Sequence, residues 1–163
     1  MHAMKIRTFF VTFFSTVTLL GAAKAQTVDE TIGYLNQYAS NVKRETSIFS
    51  YSTRDNPIRF RAPSTLVSSS VMCELTGNRI CADFEDAVDL TLIDSIAIYS
   101  PNNVRMVCAQ TVGSCVTFRN LRDGGVGSTS GANINCSGPA TCERMKKALE
   151  HLKSLVGDDP FAQ

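Results

Sequence analysis

The sequence predicts an α+β protein in which an antiparallel sheet, curled as a barrel or half-barrel, is flanked by an N-terminal and a C-terminal helix. Three observations predict it. An apolar stripe at helical spacing lies near each end of the chain, short β-rich runs fill the middle, and six cysteines follow an export-type leader.

The leader has Lys5 and Arg7 ahead of an apolar run from Phe9 to Leu20, then Ala23-Lys24-Ala25 before Gln26. This is the pattern of a cleaved secretory signal. The run is shorter than the ~20 residues a helix needs to span a bilayer, and no Cys stands at the cleavage site to carry a lipid. We expect residues 1–25 to be a signal peptide, 26–157 a single disulfide-stapled domain and 158–163 a short tail. Localisation should be periplasmic or secreted, in a bacterial setting. Losing Lys5, Arg7 and Lys24 turns 16 basic and 15 acidic residues into 13 and 15, a mature net charge of about −2. Bulk charge therefore draws the chain to neither nucleic acid nor an anionic membrane. His151 is the sole histidine beyond the leader, which excludes a multi-histidine metal site.

An even number of cysteines in an oxidising compartment reads as disulfides. The chain has neither the C-x-x-C of redox proteins nor the close pairs with histidines of zinc sites. The simplest pairing is local, Cys73 with Cys81, Cys108 with Cys115 and Cys136 with Cys142. One pattern argues against it: around Cys73 the apolar parity is Val71, Cys73 and Leu75, whereas beyond Cys81 it is Ala82, Phe84, Val88 and Leu90, which puts Cys81 on the other face. Opposed residues must share a face unless a bulge intervenes, and the same mismatch recurs between Val104-Met106-Cys108 and Cys115-Thr117-Arg119.

Along the chain, Thr27-Val28-Asp29-Glu30 is a capping box. Val28, Ile32, Leu35, Ala39 and Val42 then predict an amphipathic helix over 27–43. Strands are expected near 47–53, 58–61, 66–75, 80–90, 95–99, 104–110 and 115–119, bounded by Asn-Pro, Gly-Asn, Pro-Asn-Asn and Val-Gly punctuation. Their short connections predict an antiparallel meander. Residues 122–138, RDGGVGSTSGANINCSG, hold five of the ten glycines and are expected to form a flexible surface loop. Pro139 suits a first helical position, and Met145, Ala148, Leu149, Leu152, Leu155 and Val156 mark the second helix, closed by Gly157 with Pro160 beyond.

The terminal segment ETIGYLNQY, the cysteine-bearing strands VRMVCAQTVGSCVTF and the closing segment ERMKKALEHLKSL together resemble small secreted bacterial domains with a pleckstrin-homology-like layout of helix, antiparallel sheet and helix. The resemblance spans roughly residues 27–157 and implies a barrel or half-barrel closed by a helix. Such domains are mostly of uncharacterised function, so it brings no catalytic residues with it.

Candidate sites are few. The Gly-rich segment lacks the Lys-Ser/Thr of a phosphate loop, and Gly127-Ser128-Thr129-Ser130-Gly131 mimics a nucleophile elbow without its histidine. Asp83, Glu85 and Asp89 alternate along one strand face, with Asp86 on the other. They suit calcium, an acid/base pair, or a solvated face paired with Arg59, Arg61 or Arg119. Arg59, Phe60 and Arg61, with Arg54 nearby, are the candidate partner-binding edge, since arginine recognises anions bidentately; a charged edge strand also discourages aggregation. His151 reads as a boundary residue of the second helix, Asn135-Cys136-Ser137 as a chance sequon, and Met72 and Met106 as core residues rather than copper ligands. No catalytic residue, metal or cofactor is expected. The function expected is a non-enzymatic exported binding module for an unknown protein or small envelope ligand. The alternatives are an inhibitor of an extracellular or envelope hydrolase and a hydrolytic enzyme using the strand carboxylates.

Overall fold

The computed structural model describes residues 27–76 and 80–157. The leader, the tail and the Gly77-Asn78 turn lie outside the described residues. The class is α+β, two helices flanking antiparallel sheets.

Helix α1 (Val28–Ala39) begins at the expected capping box: Glu30 N–H donates to Thr27 Oγ1 at 3.2 Å and Thr27 N–H to Glu30 Oε2 at 2.9 Å. It stops four residues short of the predicted 43. Ser40 is extended and Asn41 takes a left-handed φ of 57°, a conformation an asparagine tolerates and a helix does not. The stripe also differs from the periodicity reading, because Thr31 and Asn36 are buried with Leu35 and Ala39. Asn36 is held by a two-way bond to one residue: Ile58 N–H donates to Oδ1 at 2.9 Å, and Nδ2 donates to the Ile58 carbonyl at 2.8 Å.

The strands are β1 (Lys43–Glu45), β2 (Phe49–Ser52), β3 (Ile58–Arg61), β4 (Thr65–Glu74), β5 (Cys81–Asp89), β6 (Ile93–Ser100), β7 (Asn103–Cys108), β8 (Val116–Asn120), β9 (Val126–Thr129) and β10 (Gly131–Asn135). They divide between two sheets rather than forming one meander. The larger runs β1-β2-β4-β5-β8-β9, and β3 also pairs with β4; the smaller runs β10-β7-β6. The end strands β1 and β9 of the larger sheet do not pair with each other. The long β4 takes two partners in succession, β3 opposite residues 65–68 and β2 opposite 71–74. Chain proximity favours pairing β5 with β6, but Leu90–Leu92 form a 3-10 turn that starts the second sheet, so β8 takes the place beside β5.

The expected loop at 122–138 is the main correction. Within it β9 pairs with β8 and β10 with β7. Ala132 and Ile134, two residues apart, are buried in the core, and this alternation supplies what composition concealed. Two glycines are needed for close approach. A Cβ on Gly127 would lie 2.3 Å from the Phe118 ring, and one on Gly131 would lie 2.7 Å from the Met106 carbonyl oxygen.

Helix α2 (Pro139–Gly157) packs on β6, β7 and α1. Met145, Leu149 and Leu152 are fully buried against Leu35, Leu66, Val104 and Met106, in one core shared by both helices and both sheets. Arg144 Nη1 donates to Tyr38 Oη at 3.2 Å, a polar clasp between the helices.

All three local disulfides are present: Cys73–Cys81, Cys108–Cys115 and Cys136–Cys142. The parity objection fails for two different reasons. Cys73 and Cys81 are opposed in plain register, but on the outer face; the inner face of β4 is Leu66, Ser68, Ser70 and Met72, opposite Val88, Asp86, Phe84 and Ala82. Cys108 and Cys115 lie on strand ends that belong to different sheets and never oppose each other.

Candidate functional site

The acidic strand is occupied by partners of its own. Asp83 Oδ1 receives Arg54 Nη2 at 2.7 Å, and Glu85 receives Arg59 Nη2 at 2.6 Å with Arg61 at 4.0 Å. Asp89 Oδ1 accepts from the Thr91 N–H at 3.0 Å and hydroxyl at 2.7 Å, capping the 3-10 turn. The three carboxylates thus serve three separate structural contacts. No group of three or more His, Cys, Asp or Glu side chains fit to hold a metal occurs among the described residues. Strand alternation also splits the Arg59-Phe60-Arg61 triplet, with Phe60 packed against the core and both arginines outside at Glu85.

The other sequence candidates are dispersed. Thr129 ends β9 just before the chain crosses to β10, so no strand-to-helix elbow forms there. Asn135 Oδ1 accepts from Asn103 Nδ2 at 3.2 Å and Cys136 is bridged. His151 is half-buried on α2, and Met106 is fully buried.

The structure instead assembles a cleft that the sequence reading did not anticipate. A cavity of about 310 Å³ lies between the inner face of the larger sheet and β10. Ser68 and Ser70 of β4 stand where a core strand would carry branched apolar side chains, and Asp86 of β5 lies directly opposite Ser68. Arg44 and Tyr51, opposed on β1 and β2, carry that wall to the rim, and Asn103 and all of β10 form the far wall.

Two polar groups here lack internal partners. Asp86 has no hydrogen bond or ion pair among the described residues, unlike Glu85 beside it. Burial raises its carboxyl above the ordinary value, because a poorly solvated site disfavours the anion. Asn103 is 3% exposed, and its Oδ1 has no hydrogen-bond partner even though its Nδ2 is satisfied. Buried acceptors are normally paired, and this one belongs to a residue that lines the cavity. The arrangement can bind and orient a donor-bearing ligand.

A signal for this site existed in the sequence. Asp86 shares the parity of Phe84 and Val88, and a charged residue on an apolar parity marks a carboxylate turned to the inner face. Its three disulfides are consistent with an extracellular or oxidising setting, and no described helix is long and apolar enough to cross a membrane. Compared with known proteins, it matches no family model, no curated protein and no solved structure.

Proposed function

We propose that this chain is an exported, non-enzymatic binding module whose ligand seats in the cleft between the inner face of the larger sheet and β10. The observation that carries the reading is the carboxylate of Asp86, which has no partner among the described residues and lies on the wall of a cavity whose far wall includes Asn103 and β10. The cavity falls at the lower end of the range for small-molecule sites, about 300–1,000 Å³. A half-barrel belongs to the same proposal: the chain passes from β9 to β10 through Ser130 alone, and the cleft occupies the opening beside that crossing. Periplasmic or secreted residence is the matching compartment.

Native mass spectrometry of protein recovered from its oxidising compartment tests the reading, with Ser70→Trp as the variant that fills the cavity. A bound mass present in the wild type and absent from the variant is expected. A bound mass indifferent to the substitution, or a bare wild type that a panel of small polar compounds does not stabilise thermally, overturns it.

A further inference from the structure

Strand β10 carries a row of backbone groups that nothing among the described residues uses. The Ser130 carbonyl accepts from Cys108 N–H at 2.9 Å, and Cys136 N–H donates to the Asn102 carbonyl at 3.0 Å. In an antiparallel pair such bonds alternate along the strand, so the even-numbered residues of β10 address β7. The N–H and C=O groups of Gly131, Asn133 and Asn135 therefore point to the opposite edge. β10 is an end strand of its sheet, and none of these groups bonds to another strand among the described residues.

That edge differs from an ordinary exposed one. All five residues of β10 line the cavity, so the free groups open onto the cleft. Sheet edges facing bulk water are usually guarded by lysine, proline or a bulge. The sequence of β10, Gly-Ala-Asn-Ile-Asn, has no charge and no proline, and its register with β7 is unbroken. Its protection is the wall opposite, which excludes another sheet but leaves room for a single chain.

We infer that this edge takes a short extended peptide as an added strand, with a protonated amine of the peptide on Asp86. The inference rests on the binding-module reading and names its ligand class. From Gly131 to Asn135 the strand rises about 13 Å at ~3.3 Å per residue, the length of a four- or five-residue extended segment. The enclosed volume of about 310 Å³ matches roughly ten waters at ~30 Å³ each, which suits two or three small residues with the ends continuing outward. Only a peptide-like ligand repeats donor and acceptor every second residue, as the free groups of residues 131, 133 and 135 do. The charge follows from Asp86, the one cleft carboxylate that no basic side chain neutralises.

The probes are acetyl-Ala-Lys-Ala-amide, its norleucine analogue, the same lysine peptide N-methylated at the central amide, and unacetylated Ala-Ala-Ala-amide. Titration of the disulfide-intact protein is followed by amide NMR shifts. The lysine peptide is expected to move the signals of Gly131, Asn133 and Asn135. N-methylation should weaken it roughly tenfold, the upper range for one hydrogen bond, and Asp86→Asn should abolish the preference for lysine over norleucine. Binding by the unacetylated trialanine would assign the amine to a peptide N-terminus instead of a side chain, with the same Asp86 dependence. Equal affinity for the N-methylated peptide, or shifts confined to residues away from β10, overturns the strand-addition inference. If no peptide binds but small amines do so in an Ser70→Trp-sensitive manner, the peptide inference fails and the cleft reading stands. If peptides bind wild type and Ser70→Trp alike, the cleft reading itself fails.

Discussion

Asp86 stands directly opposite Ser68 on the inner face of the β4–β5 pair, while Glu85, one residue earlier, faces outward and receives Arg59 at 2.6 Å. Adjacent carboxylates thus meet opposite environments, one ion-paired at the surface and one poorly solvated without a cation. The first is a structural contact; the second is a position where the fold gives up stability.

The pH dependence follows from that difference. Burial raises the folded-state carboxyl of Asp86 above its unfolded value, so the folded protein binds the extra proton. Stability from this residue is therefore fully present below the unfolded carboxylate value of about 3.9 and falls as pH rises through the raised folded value. Asp86→Asn removes the titration. Its melting temperature should exceed that of the wild type by a few degrees at neutral pH, and the gap should close near pH 3. Calorimetry across that range checks it; a gap independent of pH would mean that the carboxylate is well solvated.

Asn36 should be among the costliest polar side chains to remove. It gives Ile58 both a donor and an acceptor, so it acts as a backbone-like partner that pins α1 to the edge strand β3. Asn36→Ala would leave the Ile58 N–H and C=O without partners beneath the helix, at a cost of about 2–4 kcal/mol for two buried groups. Asn36→Asp keeps the acceptor but sets a carboxylate against the Ile58 carbonyl and should be no better at neutral pH. Urea unfolding measures both. Arg59→Ala, which removes an exposed ion pair from the same strand, should cost less than about 1 kcal/mol and serves as the comparison.

How far the sequence carried the reading depended on whether the signal was local. The capping box, both helical stripes and the seven anticipated strands are visible from spacing alone, because each depends on neighbours within a few residues. Pairing partners are not local: nothing in β5 or β8 announces that they lie side by side while β6 and β7 leave for another sheet. The inner face of β4 was hidden because Ser68 and Ser70 occupy it, whereas the apolar Val67 and Val71 take the alternate parity, Val67 buried there all the same. Taking the apolar parity as the inner one reversed the face and produced a false objection to the Cys73–Cys81 bridge. The cleft was obscured for the same reason, since a polar inner face reads as solvent, and β10 was obscured by the glycines around it.

Those glycines can be ranked by what a methyl group would strike. At Gly131 the nearest obstacle is the Met106 carbonyl oxygen, fixed in the β7–β10 ladder, so Gly131→Ala must displace backbone and should destabilise by about 1–3 kcal/mol. At Gly127 the obstacle is the Phe118 ring, an exposed side chain able to rotate away. Gly127→Ala should therefore cost less than about 1 kcal/mol. Chemical denaturation of the two variants decides the order, and the reverse order would show that the ring, not the backbone, is the rigid neighbour.

The disulfides should separate by access to solvent. Cys81 is exposed and Cys73 half-buried at the end of the β4–β5 pair where one strand leads into the next, whereas Cys108, Cys115, Cys136 and Cys142 are buried. Thiol–disulfide exchange needs the attacking thiolate to reach a sulfur, so mild reductant followed by alkylation and peptide mass mapping should label Cys73 and Cys81 first. Each bridge closes a loop of six to eight residues, for which chain entropy gives roughly 2–3 kcal/mol whichever pair is opened. The buried bridges should nonetheless cost more to remove. Cys108 and Cys115 tie the end of β7 to the start of β8 and so join the two sheets, and Cys136 and Cys142 tie the end of β10 to the first turns of α2. Paired Cys-to-Ser replacement at either buried bridge should therefore loosen β10 and reduce cleft binding, while replacement of Cys73 and Cys81 should lower stability alone. Binding of the lysine peptide to the three double variants separates these outcomes, and equal losses in all three would mean that the bridges act through global stability.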